Sequence, residues 1–153
     1  MEQDLYIAYN LALGIVNISS KRKQEIGRAF AEILGFHPGP LGADGGIDGV
    51  IFQEDKLVHF QCKLSQKELD VEQAKLLYAD IMYHQASISI MLAGLGYKET
   101  FKKRLFGHPH LEGITIHLLS LVDVLAKTEN YCLAVHTLPK LSLIETIDWK
   151  QFR

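Results

Sequence analysis

Gly35–Ser65 reads GFHPGPLGADGGIDGVIFQEDKLVHFQCKLS, and its alternation decides the fold. The spacing predicts two strands, Ile47–Gln53 and Lys56–Leu64, joined in a hairpin at Glu54-Asp55. Side chains two apart on a strand share a face. Val58, Phe60 and Cys62 are therefore expected in apolar packing, with His59, Gln61 and Lys63 on the opposite face and Asp48 in the row of Val50 and Phe52. A register that sets Asp48 beside Gln61 and Lys63 gathers a carboxylate, an amide and an ammonium at one end of the hairpin. Such groups are costly to bury singly unless they pair or bind something. That end of the hairpin is the candidate site.

Working outward, His37–Gly46 carries Pro38, Gly39, Pro40, Gly42, Gly45 and Gly46 and reads as a loop. It is not a P-loop, because no Gly-Lys-Ser/Thr follows. Asp44 and Asp48 are four apart without the rest of an EF-hand pattern, so a calcium loop is not expected. Before the loop, Ile26, Ala29, Phe30, Ile33 and Leu34 form a helical stripe, with Ser19 or Ser20 as N-cap and Gly35 as stop. Glu25 lies at the border of that stripe, where a carboxylate can face inward or stay in solvent. Residues 4–18 read as a further helix, or as an arm for dimer contacts.

Past the hairpin the pattern gives a helix over 68–84, a strand over 87–93 and a short helix over 98–106. A strand over 113–119 and a helix over 120–127 follow, the latter capped by Ser120. This order favours right-handed crossovers and a mixed sheet with helices on its faces. One domain is expected over 1–153, with 1–18 as N-terminal helix or arm, 19–127 as core and 128–153 as C-terminal extension.

Composition narrows the functional classes. At 153 residues, one core is expected; 48% hydrophobic and 22% charged residues suit a soluble globular chain. Two cysteines, Cys62 and Cys132, cannot form a disulfide framework, and the N-terminal MEQDLYIAYN has no basic n-region. A cytoplasmic protein is the simplest expectation, with no apolar run long enough to span a membrane. A net charge of -2 argues against indiscriminate binding of polyanions, so contacts to phosphate must come from local patches. Lys21-Arg22-Lys23 with Arg28 and Lys102-Lys103-Arg104 are the candidates, followed by Gln66 and Lys67. His37, His108, His110 and His117 lack companions at zinc spacing.

At Gly45-Gly46-Ile47-Asp48-Gly49 followed by Gln61-Cys62-Lys63, the chain resembles the Mrr-type branch of the PD-(D/E)XK nuclease superfamily. The resemblance spans Lys23 to Ala126, in motif over the hairpin and in layout beyond it. It implies a restriction-endonuclease-like three-layer α/β sandwich whose central mixed sheet is flanked by helices. It also implies a metal-dependent endodeoxyribonuclease that uses Mg²⁺ or Mn²⁺. Carried over by position, Asp48, Gln61 and Glu25 match metal ligands and Lys63 the catalytic lysine. Gln61 stands where Glu or Asp is commoner in the superfamily; an amide oxygen can ligate Mg²⁺ but brings no charge.

The residue types suit phosphodiester hydrolysis, which needs a hard cation, oxygen ligands and a nearby positive charge. Cleaving both strands of DNA needs two sites, so a homodimer is expected, with RNA as an open alternative substrate. A targeting partner protein is a further expectation, because no recognition domain is evident. Two rivals stand beside this reading. One is a nuclease-fold module that binds nucleic acid or protein without cleaving. The other is an unrelated α/β enzyme in which Asp48 only caps the loop by an Asx turn. His59 is either a substrate contact or an ordinary edge histidine.

Overall fold

The computed structural model describes residues 2–35 and 47–146, with residues 2, 3, 47, 48, 145 and 146 described by backbone alone. The glycine-rich segment 37–46 expected as a loop lies outside the described residues. Helices α1 (Glu2–Val16) and α2 (Ser20–Ile33) precede the hairpin of β1 (Ile47–Gln53) and β2 (Lys56–Lys63). Then come α3 (Val71–His84), β3 (Ile88–Ala93), α4 (Glu99–Phe106), β4 (Thr115–Ser120), α5 (Leu121–Ala126) and α6 (Glu129–Thr137). A 3-10 helix, Pro139–Thr146, follows α6.

Local chemistry sets these boundaries. The Ser19 hydroxyl accepts from the Arg22 amide at 3.2 Å and starts α2. Gly35, at φ 84°, ends it with its amide donating to the Glu32 carbonyl at 3.0 Å. Glu54 and Asp55 have φ of 50° and 65°, the positive pair that lets a two-residue turn match the twist of its strands. The helix expected from 68 starts later, at Val71. Leu69 pairs in a bridge with Tyr97 instead, and Asp70 becomes the cap, accepting from the Glu72 amide at 3.1 Å. A capping box between Ser120 and Asp123 opens α5.

Among the described residues the sheet has four strands in the order β1-β2-β3-β4. β1 runs antiparallel to β2, whereas β2, β3 and β4 are mutually parallel. Because the parallel strands advance in one direction, right-handed crossovers place α3 and α4 on one face. There Leu77, Ile81, Phe101 and Leu105 pack with Met91 and Ala93. On the other face Phe30, Val58, Phe60, Cys62, Ile90, Leu92 and Tyr131 form the larger core with α1, α2, α5 and α6. The result is an α/β fold with a mixed sheet between two helical layers.

Residues 129–146, placed only loosely by sequence, form α6 and the final 3-10 helix, and Ala134, Leu138, Leu141 and Ile144 are buried in that larger core. No helix among the described residues is long and apolar enough to cross a membrane.

Candidate functional site

β2 lies inside the sheet, so both of its faces are candidates for cover. Val58, Phe60 and Cys62 enter the larger core as alternation predicts. The opposite row changes character along the strand. His59 is fully buried; its Nδ1 shares a hydrogen bond with the Ser89 hydroxyl at 3.0 Å, and its ring stacks on His84 at 6.0 Å. It is neither an edge residue nor open to a substrate, because β3 and the C-terminal end of α3 cover it.

Two residues on, Gln61 pairs across the hairpin with Asp48. Directly opposed residues of an antiparallel pair have Cβ atoms about 4.5–5.5 Å apart. The Gln61 Oε1 atom is buried and accepts no hydrogen bond among the described residues. An amide oxygen withdrawn from water without a donor is costly, and native structures rarely leave one so without a reason.

Lys63 closes the row at the carboxyl end of β2, the end of an open parallel sheet at which ligands commonly bind. It lines a cavity of about 300 Å³ together with Ser20, Lys23, Ser65, Gln66 and Lys67. Contacts distant in sequence build the walls. The Gln66 amide Nε2 donates to Asn17 Oδ1 at 3.2 Å, and Lys23 Nζ donates to the Val16 carbonyl at 3.3 Å. The first fastens the α1–α2 corner to the segment leaving β2, and the second closes that corner.

Gly94 permits that approach. A Cβ there would lie 2.5 Å from Val16 Cγ1 and 2.7 Å from the Ser65 carbonyl oxygen. Its amide donates to the Lys63 carbonyl at 3.2 Å. Near it, the single O–H of the half-buried Tyr97 lies between the Met91 and Leu119 carbonyl oxygens, at 3.0 and 2.8 Å, and is shared between them. Burial, followed by the charge of Asp123, pushes the Tyr97 hydroxyl well above the usual tyrosine range, so it stays a donor and braces the ends of β3 and β4.

The remaining sequence candidates are dispersed. Glu25 pairs with Arg22 at 3.2 Å on the α2 surface, both side chains about 40% exposed (39% and 44%). Lys21 and Arg28 are exposed on α2 and are not among the cavity's lining residues. Lys102, Lys103 and Arg104 are exposed on α4, in the layer across the sheet from α2. Of the two basic clusters, only Lys23 reaches the candidate site, where it meets Lys67. Sequence reasoning ranked Lys67 low; its position just beyond the carboxyl end of a parallel strand is the signal that singles it out.

Burial pushes the Cys62 thiol far above the usual cysteine range, leaving it a packing residue rather than a nucleophile. Among the described residues, no three His, Cys, Asp or Glu side chains come together as a metal cluster. A site built here would rest on Gln61 and on Asp48, whose side chain lies outside the description. Comparison with family models, curated proteins and solved structures finds no match for this chain.

Proposed function

We propose that this protein is a metal-dependent endodeoxyribonuclease with a restriction-endonuclease-like fold, as the resemblance to the Mrr-type branch implies. The observation that carries the proposal is the direct pairing of Asp48 with Gln61, two residues before Lys63. It supports a carboxylate, an amide oxygen and an ammonium sharing one end of the sheet. The four-stranded mixed sheet between helical layers agrees with the implied fold at the coarser level of architecture.

The donor set suits Mg²⁺ or Mn²⁺. Mg²⁺ takes oxygen ligands and keeps several waters, so one carboxylate and one carbonyl oxygen can hold it. The buried Gln61 Oε1, with no donor to it among the described residues, fits that role, with Asp48 supplying the charge. The bound cation would polarise the phosphate and lower the pKa of an attacking water. Lys63 orients the scissile phosphate and stabilises charge on its oxygens in the transition state. Gln61, fixed between β1 and β3, holds its oxygen in place without rearrangement.

We read the working species as a homodimer in the cytoplasm, acting on DNA with or without a targeting partner. α1 is apolar around most of its circumference: Ala8, Ala12 and Val16 are buried, while Leu5, Tyr6, Ile7, Tyr9 and Leu11 are exposed. A helix apolar on all sides is usually covered on all sides. A second reading, a module that binds nucleic acid without cutting, draws on Glu25, whose carboxylate is engaged by Arg22.

Incubation with supercoiled plasmid and branched DNA in Mg²⁺ or Mn²⁺ tests the reading. Nicking is expected from wild type and not from Asp48→Asn, and EDTA should abolish it. A folded wild type that cuts no substrate in either metal sinks the nuclease and leaves the binding module.

A further inference from the structure

We infer that the cavity at the carboxyl end of β2 is a phosphate-binding pocket in which Lys23 and Lys67 hold a nucleic-acid phosphate other than the scissile one. The inference rests on the nucleic-acid part of the reading above and is independent of cleavage.

Three ammonium-bearing side chains, Lys23, Lys63 and Lys67, line one cavity of about 300 Å³, and none of its described lining residues is a carboxylate. The chain as a whole is acidic, at a net charge of -2, so this local excess runs against the global balance. Bringing Lys23 and Lys67 to one concave wall is unfavourable unless an anion is shared between them. The volume falls at the low end of small-ligand pockets, about 300–1,000 Å³, and suits a phosphoryl group with part of its sugar.

The donor chemistry selects phosphate over a single carboxylate. Each lysine carries three N–H donors, and Lys23 commits one of them to the Val16 carbonyl. Several donors arriving from different directions match a group with several anionic oxygens around one centre. Ser20, in the first turn of the fourteen-residue α2, adds a hydroxyl and the positive end of the helix. The Ser65 hydroxyl accepts from the Lys67 amide at 3.2 Å, which fixes the turn that carries Lys67.

The pocket is also built rather than incidental. The Gln66–Asn17 bond joins residues 49 apart, and a methyl group at Gly94 would press directly on Val16 and Ser65. Because Lys63 lines the same cavity, a nucleic-acid strand seated there would continue toward the Asp48–Gln61 pair. Lys23 and Lys67 then fix the register of the strand against the reacting bond, as phosphate contacts do elsewhere.

The test is binding in EDTA, where nothing is cut, of fluorescein-labelled single strands and duplexes with and without a 5′-phosphate. Wild type, Lys67→Ala, Lys67→Arg and Lys102→Ala are compared over a salt series, with thermal midpoints confirming folding. Lys67→Ala is expected to weaken binding about tenfold and to reduce the salt slope by about one. Lys67→Arg should restore most of both, and Lys102→Ala, across the sheet, should stay within about twofold of wild type. Equal loss on all strands identifies a backbone phosphate, and loss confined to 5′-phosphorylated strands identifies a terminal one; either supports the pocket. Wild-type affinity and slope in Lys67→Ala, or no binding by wild type, overturns it. Lys67-dependent binding without cleavage would remove the nuclease and keep the pocket; cleavage with Lys67-independent binding would do the reverse.

Discussion

The two rows of β2 come from one eight-residue strand and meet opposite demands. Val58, Phe60 and Cys62 enter an apolar core in which position is fixed by volume. His59, Gln61 and Lys63 present a buried imidazole hydrogen-bonded through Nδ1, an amide oxygen with no donor among the described residues, and an ammonium at a cavity wall. The first row is satisfied by packing alone. The second depends on polar partners, such as the Ser89 hydroxyl on His59. A strand held rigidly on one face can present polar groups on the other at a fixed geometry, which is what a preorganised site needs.

That contrast can be broken at several points. Phe60→Ala should cost about 3–5 kcal/mol in stability by leaving a cavity in the core, as read by chemical denaturation. An unchanged midpoint would show that the apolar row does not anchor the strand. Gly94→Ala should cost about 1–3 kcal/mol, because Val16 and the Ser65 backbone must both move. Its effect on nucleic-acid binding should exceed that of Phe60→Leu at matched stability, since it spreads the pocket wall.

Gln61→Glu sharpens the comparison on the other row. It keeps the shape and adds a charge, so Mg²⁺ should bind about tenfold more tightly by calorimetry. Unaltered affinity would place the cation elsewhere. The smallest effect is expected at Cys62, whose thiol should resist alkylation in the folded protein at pH 8 while the exposed Cys132 reacts. Equal labelling of the two would mean that the core face opens readily.

Local rules made the hairpin legible. The strand boundaries, the Glu54-Asp55 turn, the Ser19 and Ser120 caps and the Gly35 stop each depend on a few neighbouring residues. Alternation also separated the rows of β2 correctly. It could not say what covers each row, so the burial of His59 under β3 and α3 was invisible, as was the return of α6 into the core. The pocket was hidden for the same reason. Lys23 and Lys67 belong to different elements, and tertiary contacts such as the Gln66–Asn17 bond bring them together. Two basic clusters of similar composition therefore looked equivalent until the sheet placed α2 and α4 on opposite faces.

The central claim is that the Gln61–Lys63 row carries chemistry rather than stability. It is tested most directly by the rate of Mg²⁺-dependent plasmid nicking for wild type and Lys63→Ala, measured at matched thermal midpoints. Nicking by wild type is expected, with a loss of about 10³-fold in the variant and its midpoint little changed. Equal rates in the two folded proteins, or no nicking by either, would contradict it.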